Sequence, residues 1–162
     1  MVKKIDDLQD NMQNILIQAV EKGRDKVIEL LRARIRKGRD ENNSLFGSYS
    51  ESHKSRRRKE SLQTSYKDFH FSGTMFDHFE EVKRTSTIDS ATIDISFTGK
   101  PYRRSDQKSH HKKEPRTNAD LALLLNEQTG KKIIALTPAE KQKIIDAIRE
   151  QIKDDIYHIT VS

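Results

Sequence analysis

Three kinds of side chain in this chain have the chemistry for a site: histidines, paired carboxylates and runs of basic residues. The six histidines are His53, His70, His78, His110, His111 and His158. His110-His111 is the one adjacent pair. Neighbouring side chains in an extended segment point to opposite sides, which makes a poor chelate. Seven Lys and Arg between Lys100 and Arg116 would also repel a cation. These two are read as solvated histidines. His70 and His78 stand eight apart, which is not a metal-ligand spacing, and are expected at the surface or rim. The carboxylate pairs Asp6-Asp7 and Asp154-Asp155 are expected on helix exteriors. There is no G-x-S-x-G, no glycine-rich phosphate loop and no convergent acid–base set. The serines of 44–65 mark a loop. The reading is a protein without catalytic residues, metal or cofactor.

The basic runs remain. Net charge is +6, and it is unevenly placed. Residues 1–43 carry ten basic and eight acidic groups, 44–99 eight of each, and 117–162 six and seven. Residues 100–116 carry seven basic groups against two acidic. That excess lies largely between Pro101 and Pro115, in a stretch without apolar periodicity. A second cluster, Lys54 to Lys59, holds five basic groups. Blocks of like charge usually form solvated loops, and they also attract polyanions. The candidate contact residues, toward DNA or toward another subunit, are Arg56, Arg57, Arg58, Lys59, Arg103, Arg104, Lys108, Lys112, Lys113 and Arg116. Arginines in such runs can contact phosphate oxygens without reading sequence. Tyr66 and Tyr102 lie near them, but two aromatics do not make a stacking platform.

The rest of the chain must position these groups. Its 162 residues fit a single domain. Apolar residues are 33% and charged residues 35%. With glycine counted the apolar share is about 37%, below the usual 45–50%. The core is therefore small, and long polar segments are expected to be ordered by neighbours. No cysteine is present, so neither a disulfide nor a thiolate metal site can form. The start, Met1 to Asp7, turns acidic at once and reads as no signal peptide. The longest apolar run, Leu121 to Leu125, is too short to span a bilayer. A soluble protein acting in a cytoplasm, or in a particle assembled there, is expected.

Periodicity predicts a long helix over about 3–37. Its apolar stripe runs Ile5, Leu8, Met12, Ile15, Leu16, Ala19, Val20, Val27, Leu30, Leu31, Ile35. Gly23 predicts a bend or break in it. Gly38 fits a stop, with Arg34, Arg36 and Lys37 in the last turn, where the helix dipole favours cations. Residues 39–71 show no period and read as a long extended loop. A short helix from Ser72 would carry Met75, Phe76 and Phe79 inward. A β-hairpin follows. Val82 and Ile88 share a parity, Ile93, Ile95 and Phe97 alternate, and Asp89-Ser90 forms the turn. The basic loop 100–116 comes next. A helix capped by Thr117 or Asn118 covers Ala119 to about Glu127 and ends at Gly130. The words T-P-A-E then open a final helix. There Thr137 caps, Pro138 takes the first position and Glu140 completes a capping box. Ile144, Ile145, Ile148, Ile152 and Ile156 make its apolar face. Tyr157 to Val161 would fray or add a strand. Together these elements predict an α+β fold, with a small antiparallel sheet packed against long N- and C-terminal helices.

The order of these features resembles a family of tailed-bacteriophage proteins, the tail-completion or neck family, also called virion morphogenesis proteins. The resemblance runs over a long first helix ending at Gly38, a polar loop with Phe46 and Gly47, the pair Tyr49-Ser50 and the basic run Arg56 to Lys59. It continues through Ser72-Gly73-Thr74-Met75, Asn126 to Gly130, and Leu136-Thr137-Pro138-Ala139-Glu140. Members carry a polar G-x-D loop after the first helix. This chain departs at Asn42-Asn43-Ser44, which lacks a second glycine. It also has Lys131, Lys132, Ile133 and Ile134 where many relatives have Arg and Phe, and its insert 100–116 is longer. The resemblance implies a non-enzymatic virion protein at the head–tail interface, assembled in the bacterial cytoplasm. It would form a six-fold or twelve-fold ring below the portal, in contact with itself, with the portal or adjacent connector and tail proteins, and with passing DNA. On that reading the basic runs dock on subunits rather than hold DNA, since a channel should not grip what slides through it. The alternative is a basic nucleic-acid-binding protein acting as a monomer or dimer.

Overall fold

The computed structural model describes residues 2–69, 78–87, 89–100 and 117–161. Among these residues there are four helices and one two-stranded antiparallel sheet, and the chain is α+β. The helices are α1 (Val2–Arg36), α2 (Glu51–Lys59), α3 (Asn118–Thr129) and α4 (Pro138–Val161). The strands are β1 (Phe79–Ser86) and β2 (Ala91–Phe97). The chain divides into two compact units. One holds residues 1–30, 81–95 and 138–162, the other 31–80 and 96–137. The division falls inside α1, β1 and β2 rather than in a linker. No helix among the described residues is long and apolar enough to cross a membrane.

In the first unit, α1 and α4 meet at Gly23. The expected break is absent, and α1 continues as helix through this residue. A Cβ here would stand 2.8 Å from Ile148 Cδ1 and 3.0 Å from Ile148 Cγ1. The glycine therefore serves the close approach of the two helices. Ile15, Ala19 and Ile144 are buried. Ile148 and Ile152 are half-buried, whereas Ile145 and Ile156 lie exposed, so the apolar face of α4 is narrower than its isoleucines suggest. The helix also runs on through Tyr157 to Val161, where a strand or frayed end was expected.

The hairpin packs on α1 through polar contacts. Arg24 Nη1 lies 2.6 Å from Glu81 Oε2, Arg84 Nη1 2.5 Å from Glu21 Oε1, and Gln13 Nε2 donates to Ser86 Oγ at 3.2 Å. The Arg84 and Arg24 guanidinium groups hold the Glu81 carboxyl down to about 2, against the opposing effect of burial. Glu81 cannot face α1 together with Arg84 and Ser86 in a strand of strict period two. Thr98 N–H bonds His78 O at the base of the hairpin and Thr87 N–H bonds Ser90 O near its tip, so the first strand takes one residue more than the second between these bonds. An extra residue of this kind is a β-bulge. It leaves Val82 exposed, so the inward parity expected there does not hold. Ile88 lies outside the described residues. In β2 the expected alternation is present: Ala91, Ile93, Ile95 and Phe97 are more buried than Thr92 and Asp94. Near the tip of the hairpin, Thr87 N–H bonds Ser90 O at 2.7 Å.

The second unit has its own core of Leu31, Ile35, Phe46, Phe79, Phe97, Ala122 and Ile133. Phe79 and Phe97 pair across the base of the hairpin with ring centroids 4.6 Å apart. Phe79 is thus a strand residue, not part of a helix from Ser72; residues 70–77 lie outside the described residues. α3 is capped by Thr117, whose side chain accepts from Asp120 N–H while Asp120 accepts from Thr117 N–H. Asn118 is buried instead and donates to Thr98 O at 2.6 Å. Gly130 closes the helix in the left-handed region, as its position predicts. At the end of α1, Arg34 is buried and donates to Ile133 O and Ala135 O at 3.4 and 2.5 Å.

Candidate functional site

The candidate residues that can be placed all lie on α2. This helix occupies the middle of the segment 39–71 that periodicity assigned to an extended loop. It escaped because its sequence, Glu51 to Lys59, has no apolar residue and hence no stripe. Local signals form it instead. Ser50 is the N-cap, accepting from His53 N–H at 3.4 Å. Glu51 sits in the first turn and pairs with Lys54 at 2.7 Å. Arg56, Arg57, Arg58 and Lys59 fill the last turn, where the dipole favours cations.

One member of that run is turned inward. Arg57 is 1% exposed. Its Nη2 lies 3.0 Å from Asp68 Oδ2, its Nε donates to Gln63 O at 2.6 Å, and its Nη1 donates to Tyr49 OH at 3.2 Å. The guanidinium carbon also stands 4.5 Å from the Tyr49 ring centre, a cation–π distance. Tyr49 OH donates to Asp68 Oδ1 at 2.9 Å and accepts from Asp68 N–H at 3.1 Å. Gln63 Nε2 donates to Asp68 Oδ2 at 2.6 Å. His53 stacks on Tyr49 with centroids 4.6 Å apart. Burial pushes the Tyr49 phenol up to about 12. Arg57 therefore belongs to a buried network and is withdrawn from the contact set. With no apolar residue on α2, Arg57 is its one buried side chain, and His53 adds the stacking contact with Tyr49.

Arg56, Arg58 and Lys59 point outward and are exposed. Arg103, Arg104, Lys108, Lys112, Lys113 and Arg116 lie outside the described residues, as do His110 and His111. His78 and His158 are exposed, in keeping with a surface position. Among the described residues, no three His, Asp or Glu side chains are placed to hold a metal ion. In the other unit, Asp25, Glu29, Lys143, Asp146 and Glu150 line an open groove between α1 and α4. Its mixture of signs gives no convergent acid–base pair.

The turn after α1 carries a second constellation that the basic-run argument missed. Gly38-Arg39-Asp40 opens it. Gly38 has φ +70°, and a Cβ there would stand 2.2 Å from Tyr66 Cδ2, so only glycine fits. Asp40, 3% exposed, accepts from Asn42 N–H and Ser44 N–H at 3.0 and 2.8 Å through Oδ1. Its Oδ2 lies 2.6 Å from Lys131 Nζ, which also donates to Leu45 O at 2.9 Å. Burial alone would raise the Asp40 carboxyl. The bond from Lys131 and the two N–H groups outweigh it and hold the carboxyl below its ordinary value. Asn43 takes φ +61°, a left-handed conformation that Asn tolerates, where the family pattern led us to expect a second glycine. The signal that could have found this site is an Asp followed by Asn and Ser, which bonds its own backbone ahead.

Compared with protein-family models, with curated proteins and with solved structures, the chain matches none of them.

Proposed function

We propose that this chain is a structural virion protein of a tailed bacteriophage, forming a ring in the head–tail connector or neck below the portal. The observation that supports this reading is what the motif residues do. Gly38 and Asp40 shape the turn after α1, Tyr49 helps to bury Arg57, and Ser50 caps α2. Each is engaged in holding a loop or a helix. A motif order that fixes loop geometry suits a protein that works by presenting surfaces to neighbours. At the positions where the chain departs from the family pattern, Lys131 provides the cation facing Asp40, and Ile133 is fully buried. The role is assembly in the bacterial cytoplasm, with side-to-side packing closing the ring. Its partners are further copies of itself, the portal or adjacent connector and tail proteins, and the passing genome.

A second reading, a basic nucleic-acid-binding protein acting as monomer or dimer, is favoured by the exposed cations of α2. Asymmetric reconstruction of the particle tests the first. It should place this chain in a closed six-fold or twelve-fold ring at the neck. Isolated copies on the capsid shell would remove the proposal. Light scattering of the purified chain, taken with DNA-binding measurements, tests the second.

A further inference from the structure

We propose that the outward side of α2, formed by Arg56, Arg58 and Lys59, is a sequence-independent contact strip for the phosphate backbone of duplex DNA. The inference deepens the proposed function, since it names which surface meets the genome, but it can be tested without the ring.

Geometry carries the argument. Successive helical residues are about 100° apart. With Arg57 pointing into the protein, Arg56 and Arg58 lie about 100° to either side of it, and Lys59 about 160° away. The three cations therefore fan over the outward side of the helix, and all three are exposed. Arg57 cannot turn out to join them, because Asp68, Gln63 and Tyr49 occupy its donors. The same bonds fix the helix that displays the other three. The three cations sit in the last turn of α2, within a rise of about 4.5 Å, and their long side chains reach adjacent phosphates along one strand.

Charge bookkeeping points the same way. Residues 51–69 hold six basic groups against three acidic. Arg57 is matched by Asp68, and Lys54 by Glu51. Arg58 reaches Glu51 only at 4.0 Å, with both side chains well exposed. Lys67 adds to the positive field. The His53 ring is held below its ordinary value first by burial and then by Arg57, Arg56 and Lys67.

The chemistry of the strip separates DNA from a protein partner. Protein interfaces have cores depleted in charge and anchored by aromatic or apolar side chains. α2 offers none. Phosphate contact needs only exposed cations on a firm support. It also permits sliding, since such contacts are not tied to sequence.

The test is fluorescence anisotropy of the purified full chain with labelled duplexes of two unrelated sequences, over a range of NaCl concentrations. The variant is R56S/R58S/K59S. The control is K141S/K143S/K153S, which removes the same charge from exposed positions of α4. Both should keep the wild-type melting temperature. Each lost phosphate contact makes the slope of log K against log salt shallower by about 0.9. The α2 variant should therefore lose about 2.7, equally for both sequences, and the control should keep the wild-type slope. An unchanged slope in the α2 variant overturns the proposal. So does an equal loss in the control, which would mean net charge alone. A variant with the wild-type slope that fails to enter particles would assign the strip to an acidic protein surface, also overturning it. If reconstruction finds no ring while the slope falls as stated, the ring reading fails and the DNA contact stands.

Discussion

Arg57 and Asp68 form an ion pair at 3.0 Å with side chains 1% and 8% exposed. The pair joins the only buried residue of α2 to the segment that follows it. Burying two charges is costly, and the cost is met only while every donor and acceptor has a partner. Breaking such a pair by removing one member typically costs about 3–5 kcal/mol, because the other is left buried and uncompensated. Arg57→Ala should therefore lower stability by about that amount in urea denaturation. Arg56→Ala, one residue away and exposed, should change it by less than about 0.5 kcal/mol. Equal effects from the two would contradict the inward placement of Arg57.

The same helix shows how much of the fold was legible. The α+β class, α1, α3 and α4 follow from periodicity, capping residues and Gly38, because each buries an apolar stripe or ends in a strong local signal. α2 was not legible, since its stability rests on a cap, a dipole and one buried arginine. A basic run looks identical whether its members are solvated or one of them is folded inward. Asp68 and Gln63 carry no motif, and only tertiary placement makes them partners of Arg57. The bulge in β1 was equally silent: nothing in Glu81 to Arg84 announces an extra residue, yet it reverses which side chains face α1.

His53 gives a prediction with a definite sign. Its folded value lies below the ordinary 6.5, through burial first and then through Arg57, Arg56 and Lys67. The unfolded chain therefore binds a proton more readily than the folded one. Stability from this group is fully present above the unfolded value, and it falls as pH drops through that value toward the folded one. The wild-type chain should lose stability relative to His53→Gln as pH is lowered below about 6.5. Melting curves of both proteins across that range provide the check. A difference independent of pH would show that His53 titrates normally.

Gly23 and Ile148 offer a packing test. In an open helix, Gly→Ala would stabilise by about 1 kcal/mol. Here the new methyl meets Ile148 Cδ1 at 2.8 Å. Gly23→Ala should forfeit that gain or reverse it. Ile148→Val removes the nearer of the two crowding carbons, leaving Cγ1 at 3.0 Å, and alone should cost about 0.5–1.5 kcal/mol. The double variant should be more stable than the sum of the single effects by at least about 0.5 kcal/mol. Strict additivity would mean that the two helices do not approach at this point.

Asp40 and Lys131 supply the last test. Asp40→Ala removes the acceptor for two backbone N–H groups and the partner of Lys131. A cost of about 1.5–3 kcal/mol is expected, the range for hydrogen bonds to a charged group. Asp40→Asn keeps an oxygen for Asn42 and Ser44, losing only the charge, and should cost less. The sign with pH is opposite in origin to that of His53 but alike in direction. The folded carboxyl is held below its ordinary value, so the unfolded chain again takes up the proton first. This contribution is complete above about pH 4 and is lost as pH falls through the folded value. The gap between wild type and Asp40→Asn should therefore narrow on acidification below about pH 4, measured by urea denaturation at fixed ionic strength. A gap that stays constant would mean that the turn is held by its backbone bonds alone, with Lys131 a bystander.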